Sequence, residues 1–113
     1  MIAESTIELY QCKLMVLHAA YKIDRKEDFK SEVSMAKHFV ANSLNRIIDR
    51  AIQVHGALGY SKDTPLADMF QHARRARFAD GADEIHLMRT AERSIAAYRD
   101  NGTTKAATGN LPL

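Results

Sequence analysis

A chain of 113 residues and 12.7 kDa is the size of one domain, able to withdraw roughly two thirds of its extended surface from water. Hydrophobic residues at 46% and charged residues at 27%, with only two prolines and five glycines, exclude collagenous, low-complexity and disordered classes. A formal charge of +2 is too small to argue for nucleic acid, and apolar runs such as Leu14 to Leu17 fall far short of the roughly 20 residues that span a bilayer, so neither nucleic acid nor membrane is expected as a partner. The opening Met1-Ile2-Ala3-Glu4-Ser5 lacks the basic and apolar regions of a secretory signal, and the single cysteine, Cys12, suits a reducing compartment, so the expected location is cytoplasmic.

The first helix is predicted over residues 2 to 23, where Ile7, Tyr10, Leu14, Leu17 and Tyr21 recur at spacings of three and four. Lys22 to Asp28 is a charged break in which Asp24 or Asp28 is placed to cap the second helix. Phe29, Val33, Ala36, Val40, Leu44, Ile47, Ala51 and Val54 continue the period for about seven turns, roughly 40 Å of helix, with Val40 and Leu44 read as inward. Gly56-Ala57-Leu58-Gly59 stops this second helix. Asp63-Thr64-Pro65 starts a third, over about residues 65 to 78, with Leu66, Met69, Phe70 and Ala73 inward. Asp80-Gly81 breaks it, and Asp83 and Glu84 suit the positive end of a fourth helix whose stripe is Ile85, Met88, Ala91, Ile95 and Tyr98, ending at Asn101-Gly102.

No segment alternates with a period of two, so the predicted fold is all-α: an up-and-down bundle of about four helices over residues 1–102, with a flexible tail over 103–113. A third helix about half as long as the first two leaves part of helix two uncovered. Apolar surface is therefore expected to be available to a partner, and a homo-oligomer, dimer or tetramer, is expected.

Three stretches stand out in order: Gln53-Val54-His55-Gly56-Ala57-Leu58-Gly59-Tyr60, then Asp63-Thr64-Pro65, then Ala73-Arg74 followed by Ala79-Asp80-Gly81-Ala82-Asp83-Glu84-Ile85-His86. Together they resemble the C-terminal helical domain of flavin-dependent acyl-CoA dehydrogenases, whose members carry Q-x-x-G-G-x-G-Y/F, then D/E-Y-P, A-R and Y-E-G-T-S-x-I-Q. The resemblance covers roughly residues 1 to 100 and is strongest from Met35-Ala36-Lys37 to His86. It implies an FAD cofactor and an acyl-CoA substrate. Family members are considerably longer, with a helical N-terminal domain and a small β domain that hold the flavin ring and the acyl-CoA. Neither has a counterpart in this sequence, and the family's first C-terminal helix is at most partly represented. The chain is accordingly expected to be inactive alone, with a separate flavin-domain chain as a candidate partner; the other expectation is a non-catalytic helical dimerisation module.

Carried over position by position, the resemblance implies that Asp80 stands where the family has its catalytic glutamate, with Gly81 beside the substrate. One subgroup carries A-D-G-x-D-E-V-H at this place, close to the version here. From its residues alone, Asp80-Gly81-Ala82-Asp83 also has capping-box spacing, and in the chain by itself a helix cap is the role expected to dominate over the base. Gln53, Val54, His55, Gly56 and Ala57 match a stretch that contacts the adenosine and pyrophosphate of FAD, often across a subunit boundary, although Ala57 replaces a family glycine. A plain helix terminus explains the same glycines. Ala82, Asp83 and Glu84 match a second flavin-contacting stretch, where two acidic groups are poor neighbours for phosphate. Asp83 and His86 have metal-ligand spacing but no second such motif, so no metal is expected. Arg74, Arg75 and Arg77 suit the negative end of helix three, and Cys12 reads as a packing residue.

Overall fold

The computed structural model describes residues 1–103 and contains five helices: α1 (Ile2–Asp24), α2 (Lys30–His55), α3 (Ala57–Tyr60), α4 (Leu66–Arg75) and α5 (Asp83–Asn101). No strand occurs among the described residues. Beyond Thr103, the expected tail lies outside them. The first 55 residues contain neither glycine nor proline, which is why two helices of 23 and 26 residues run with one interruption. That interruption is closed by Lys26, whose φ of 58° ends α1, while its N–H donates to the Ile23 carbonyl at 2.9 Å and Glu27 N–H donates to the Lys22 carbonyl at 2.9 Å. Asp28 accepts the Lys30 N–H at 3.1 Å from the position before the N-cap, which is Phe29, so it satisfies one first-turn donor without being the cap residue expected.

Helix α2 is the spine. It packs against each of the other four helices, while α1 touches neither α4 nor α5 and the latter two do not touch each other. Helix α1 runs antiparallel to it, locked at both ends by ion pairs. Glu8 accepts from Arg46 Nε and Arg50 Nη1, each at 2.6 Å, and Lys22 Nζ lies 2.7 Å from Glu32 Oε1. Helix α5 is antiparallel on another side, with Asp83 beside Asn42 and Arg93 beside Ser31.

The faces that meet are small and polar rather than aliphatic. Cys12, Ala19, Ala36, Ala41, Ile48, Ala73 and Ala97 form the buried apolar set, joined by buried Ser31, Glu32, Ser34, Ser43, Asp83 and His86. Small side chains let helix axes approach closely, and the polar groups among them need partners. The apolar stripes legible in the sequence point elsewhere. On α1, Tyr10 is 63% and Leu17 65% exposed; Ile7, Leu14 and Tyr21 are exposed with them. On α5, Ile85, Met88, Ala91, Ile95 and Tyr98 are all exposed. Leu44, expected inward, is 41% exposed, Val40 is half-buried, and on α4 only Ala73 of the four expected residues is fully buried. The reason is that α2 is the sole neighbour of α1 and α5, and each offers it its small, hydrogen-bonding face. Between α1 and α2 a groove of about 350 Å³ remains open, walled by Val16, Ala20, Ile23, Val33, Ala36 and Val40.

Two boundaries differ from expectation. The glycine turn after α2 coils into the short α3, so five helices replace about four. Helix α4 ends at Arg75 rather than near Phe78, because Ala76 to Asp80 turns toward α5. Pro65 stands at the start of α4, but Asp63 and Thr64 do not cap it: the Asp63 N–H donates to Ser61 Oγ, and Thr64 Oγ1 donates to the Leu58 carbonyl.

Candidate functional site

The turn between α4 and α5 carries Asp80. Asp80 has a φ of 54°, in the left-handed region that aspartate tolerates better than most residues, and Gly81 follows at 101°, where only glycine is at ease. A Cβ on Gly81 would also lie 2.8 Å from His86 Nε2. This pair swings the chain so that Ala82, not Asp80, is the N-cap of α5, and no side chain caps that helix. The capping box expected of Asp80 is therefore not formed. Its exposed carboxylate makes no hydrogen bond or ion pair among the described residues.

Around that free carboxylate the turn is tightly held. Lys37 Nζ, arriving from α2, donates to the carbonyls of Ala76 and Gly81, both at 2.7 Å. The Asp83 N–H donates to the Arg77 carbonyl at 2.9 Å, while Asp83 Oδ2 accepts from Arg77 Nε at 2.8 Å and from Asn42 Nδ2 at 3.0 Å. His38 Nδ1 stands 3.3 Å from the other oxygen, Asp83 Oδ1. Burial of Asp83 disfavours its ionised form, but the bonds from Arg77 and Asn42 and the charges of His38 and Arg77 outweigh it and hold its pKa below the ordinary aspartate range. His86 is buried, with Nε2 3.3 Å from the Asp80 carbonyl and Nδ1 without a partner.

The second region is the end of α2. Gln53, Val54, His55, Gly56 and Ala57 are exposed there. Gly56 closes the helix with φ 58°, and nothing lies within 4 Å of where its Cβ would be, while its N–H donates to the Gln53 carbonyl at 3.3 Å and its carbonyl accepts from the Gly59 N–H at 3.0 Å. Gly59 is buried for a packing reason: a Cβ there would sit 2.8 Å from the Ile52 carbonyl oxygen.

The fold does not bring these two regions together. Asp83 binds Asn42 and Gly81 binds Lys37, which lie 11 and 16 residues before Gln53 on α2, or about 17 and 24 Å along its axis. Of the second stretch expected to contact flavin, Ala82 is half-buried, Glu84 is exposed, and the Asp83 side chain faces inward to Arg77. Among the described residues no three His, Cys, Asp or Glu gather as a metal site, and no helix is long and apolar enough to cross a membrane. Cys12 is buried and unpaired.

Lys37, His38 and Asn42 carry no motif that joins them to this site in the sequence. The i, i+4 spacing of His38 and Asn42 places both on one helical face, and a lysine interrupting the run Ala36 to Ala41 was the other available signal. Neither reveals a carbonyl or carboxylate some 40 residues away.

Residues 1–95 match the family model described as acyl-CoA dehydrogenase, C-terminal domain. Acyl-CoA dehydrogenase family member 10 of Mus musculus is 42% identical over 96 residues, covering 83% of this chain and 9% of that protein. A probable acyl-CoA dehydrogenase of Mycobacterium tuberculosis is 40% identical over 108 residues, 94% of this chain and 26% of its own. The solved structure of a Mycobacterium abscessus protein assigned as an acyl-CoA dehydrogenase superposes with a TM-score of 0.83 at 41% identity, covering 86% of this chain and 24% of that one. The chain thus spans about a quarter or less of the length of these relatives.

Proposed function

The chain belongs to the acyl-CoA dehydrogenase family as its C-terminal helical domain, and from that premise we propose that it contributes the proton-abstracting carboxylate, Asp80, to a flavin-dependent acyl-CoA dehydrogenase whose remaining walls come from additional polypeptide. The observation that carries this is the unpartnered Asp80 carboxylate on a held turn. A base must be free to accept a proton, and its surroundings must keep it in place. The α-proton of a saturated acyl-CoA is acidified by the thioester carbonyl, and Asp80 Oδ would receive it, with the Gly81 backbone beside the substrate. FAD, when bound, supplies the acceptor for the hydride leaving the β carbon.

The exposed stretch Gln53 to Ala57 suits the phosphate-bearing end of that cofactor by its accessibility and by the missing Cβ at Gly56, while the Gly56 N–H itself is taken by the Gln53 carbonyl. Ala82, Asp83 and Glu84 suit it only through backbone, since the Asp83 side chain is committed to Arg77 and the Glu84 carboxylate would repel phosphate. About 17 to 24 Å of helix separates the two stretches, so they would meet a cofactor at different points along its length. The uncovered apolar stripes on α1 and α5 support a homo-oligomer, dimer or tetramer, and the buried, unpaired Cys12 suits the cytoplasm. The test is exchange of α-hydrogens of an acyl-CoA with D₂O by the complete assembly, which Asp80→Asn should slow by roughly 10²–10⁴-fold. Unchanged exchange in Asp80→Asn would remove Asp80 from the mechanism.

The exposed stripes on α1 and α5 support a second reading, a helical interaction module without chemistry of its own. It expects concentration-dependent association in sedimentation together with no binding of FAD or acyl-CoA. A compact monomer across micromolar concentrations would count against it.

A further inference from the structure

Lys37 is half-buried, its stem bordering the apolar groove beside Ala36 and Val40. A lysine so placed would ordinarily seek a carboxylate, yet none pairs with it among the described residues. Its ammonium instead spends two of its three donors on backbone, at 2.7 Å each. The Ala76 carbonyl belongs to the negative end of α4, where helical carbonyls lack partners and a cation is favoured. The Gly81 carbonyl lies immediately before Ala82, the N-cap of α5. One side chain from α2 therefore ties the end of one helix to the start of the next, and Asp80 lies on the five-residue path between the two anchored carbonyls. A φ of 54° costs even aspartate some backbone energy, which the contacts around the turn must offset.

We propose that Lys37 is a positioning residue for Asp80: by bridging the Ala76 and Gly81 carbonyls it holds Asp80 in its left-handed backbone conformation and so sets the direction of the free carboxylate. The functional meaning of this clamp rests on Asp80 being the base, while the clamp itself does not. The Asp83–Arg77 bonds and the contact of His86 Nε2 with the Asp80 carbonyl hold the α5 side of the turn, so what the ammonium adds is the tie from Gly81 back to the end of α4; without it the Asp80 carboxylate moves by more than the ~1 Å that a proton-transfer geometry tolerates.

The chain itself, studied by NMR, tests the clamp. In the wild type, the Lys37 ammonium should relax as a fixed group, unlike that of exposed Lys62, and Asp80 should give the strong intraresidue HN–Hα contact of a left-handed residue. Lys37→Met should abolish that contact and speed exchange of the Asp83 amide about tenfold, leaving amides in the middle of α2 and α5 unchanged. Lys37→Arg, which keeps charged donors, should retain the left-handed signature. A Lys37 ammonium as mobile as that of Lys62 overturns the proposal without any variant. So does a Lys37→Met chain in which Asp80 stays left-handed, or one that merely melts earlier with the turn intact. In the complete assembly, Lys37→Met should lower the rate of α-hydrogen exchange without weakening acyl-CoA binding. If the wild-type assembly shows no exchange, the base assignment falls while the NMR result still decides the clamp.

Discussion

The turns at Gln53–Tyr60 and at Ala76–His86 both carry glycines matched to a family motif, but they are built on different physics. The first is a packing turn: Gly59 is buried because the Ile52 carbonyl leaves no room for a Cβ, and its candidate residues lie exposed on the outside. The second is an electrostatic turn, held by Lys37, Arg77, Asn42 and Asp83 around two residues of positive φ. A packing turn presents backbone, whereas a polar clamp can aim one side chain. The distinction suits the cofactor-contacting role proposed for the first and the base proposed for the second.

Breaking the electrostatic turn should have the largest effect. Asp83→Ala strands Asn42 and Arg77, and should cost roughly 2–3 kcal/mol in thermal or urea unfolding, below the about 3–5 of fully buried pairs because the Arg77 side chain is 39% exposed. A cost under about 0.5 kcal/mol would show that the turn is held by packing instead. Acid probes the same bonds without mutation. The folded-state pKa of Asp83 lies below its unfolded value of about 3.9, so its contribution is present above that value and is lost as pH falls through the lower folded pKa. Glu8, whose pKa the Arg50 bond lowers against the cost of burial, acts in the same direction on the α1–α2 pair. Unfolding midpoints should fall below about pH 4, and Asp83→Asn should flatten that fall.

At the packing turn, Gly59→Ala should cost about 1–3 kcal/mol through overpacking. Gly56→Ala meets no atom, so its cost, roughly 1–3 kcal/mol, is backbone conformation alone: φ 58° with ψ −140° lies outside the left-handed helical region and suits glycine but not alanine. A Gly56→Ala chain as stable as the wild type would show that this conformation is not what shapes the turn. The smallest effects belong to Asp80. With no cap to lose, Asp80→Asn should be neutral, Asp80→Gly neutral or stabilising by less than about 1 kcal/mol, and Asp80→Ala destabilising by about 0.5–1 kcal/mol because alanine tolerates a φ of 54° less well. If glycine and alanine cost the same, the backbone of Asp80 is not what the substitutions report.

Much of the molecule was legible from local chemistry. A stretch of 55 residues without glycine or proline, then Gly56, Pro65, Gly81 and Gly102, marks where helices run and stop to within a few residues. These signals act on the backbone of the residues that carry them. The same locality made the motif order around Gln53 and Asp80 sufficient to suggest the family. Helix faces were not legible in this way. A period of 3.6 shows that α1 has an apolar stripe, but not that its neighbour α2 would instead take the face with Ser5, Glu8, Cys12 and Ala19, leaving Tyr10 and Leu17 outside. Which face is buried depends on what another helix brings to it, and Arg46 and Arg50 bring charge. The tertiary structure alone also decided that Asp80 would be free rather than capping, that Asp83 would turn inward to Arg77, and that Lys37 would reach Gly81 across 44 positions of sequence. Hydrogen bonds of that span exist only once two helices are docked, because geometry, not residue type, selects among the many polar partners a chain of this composition offers.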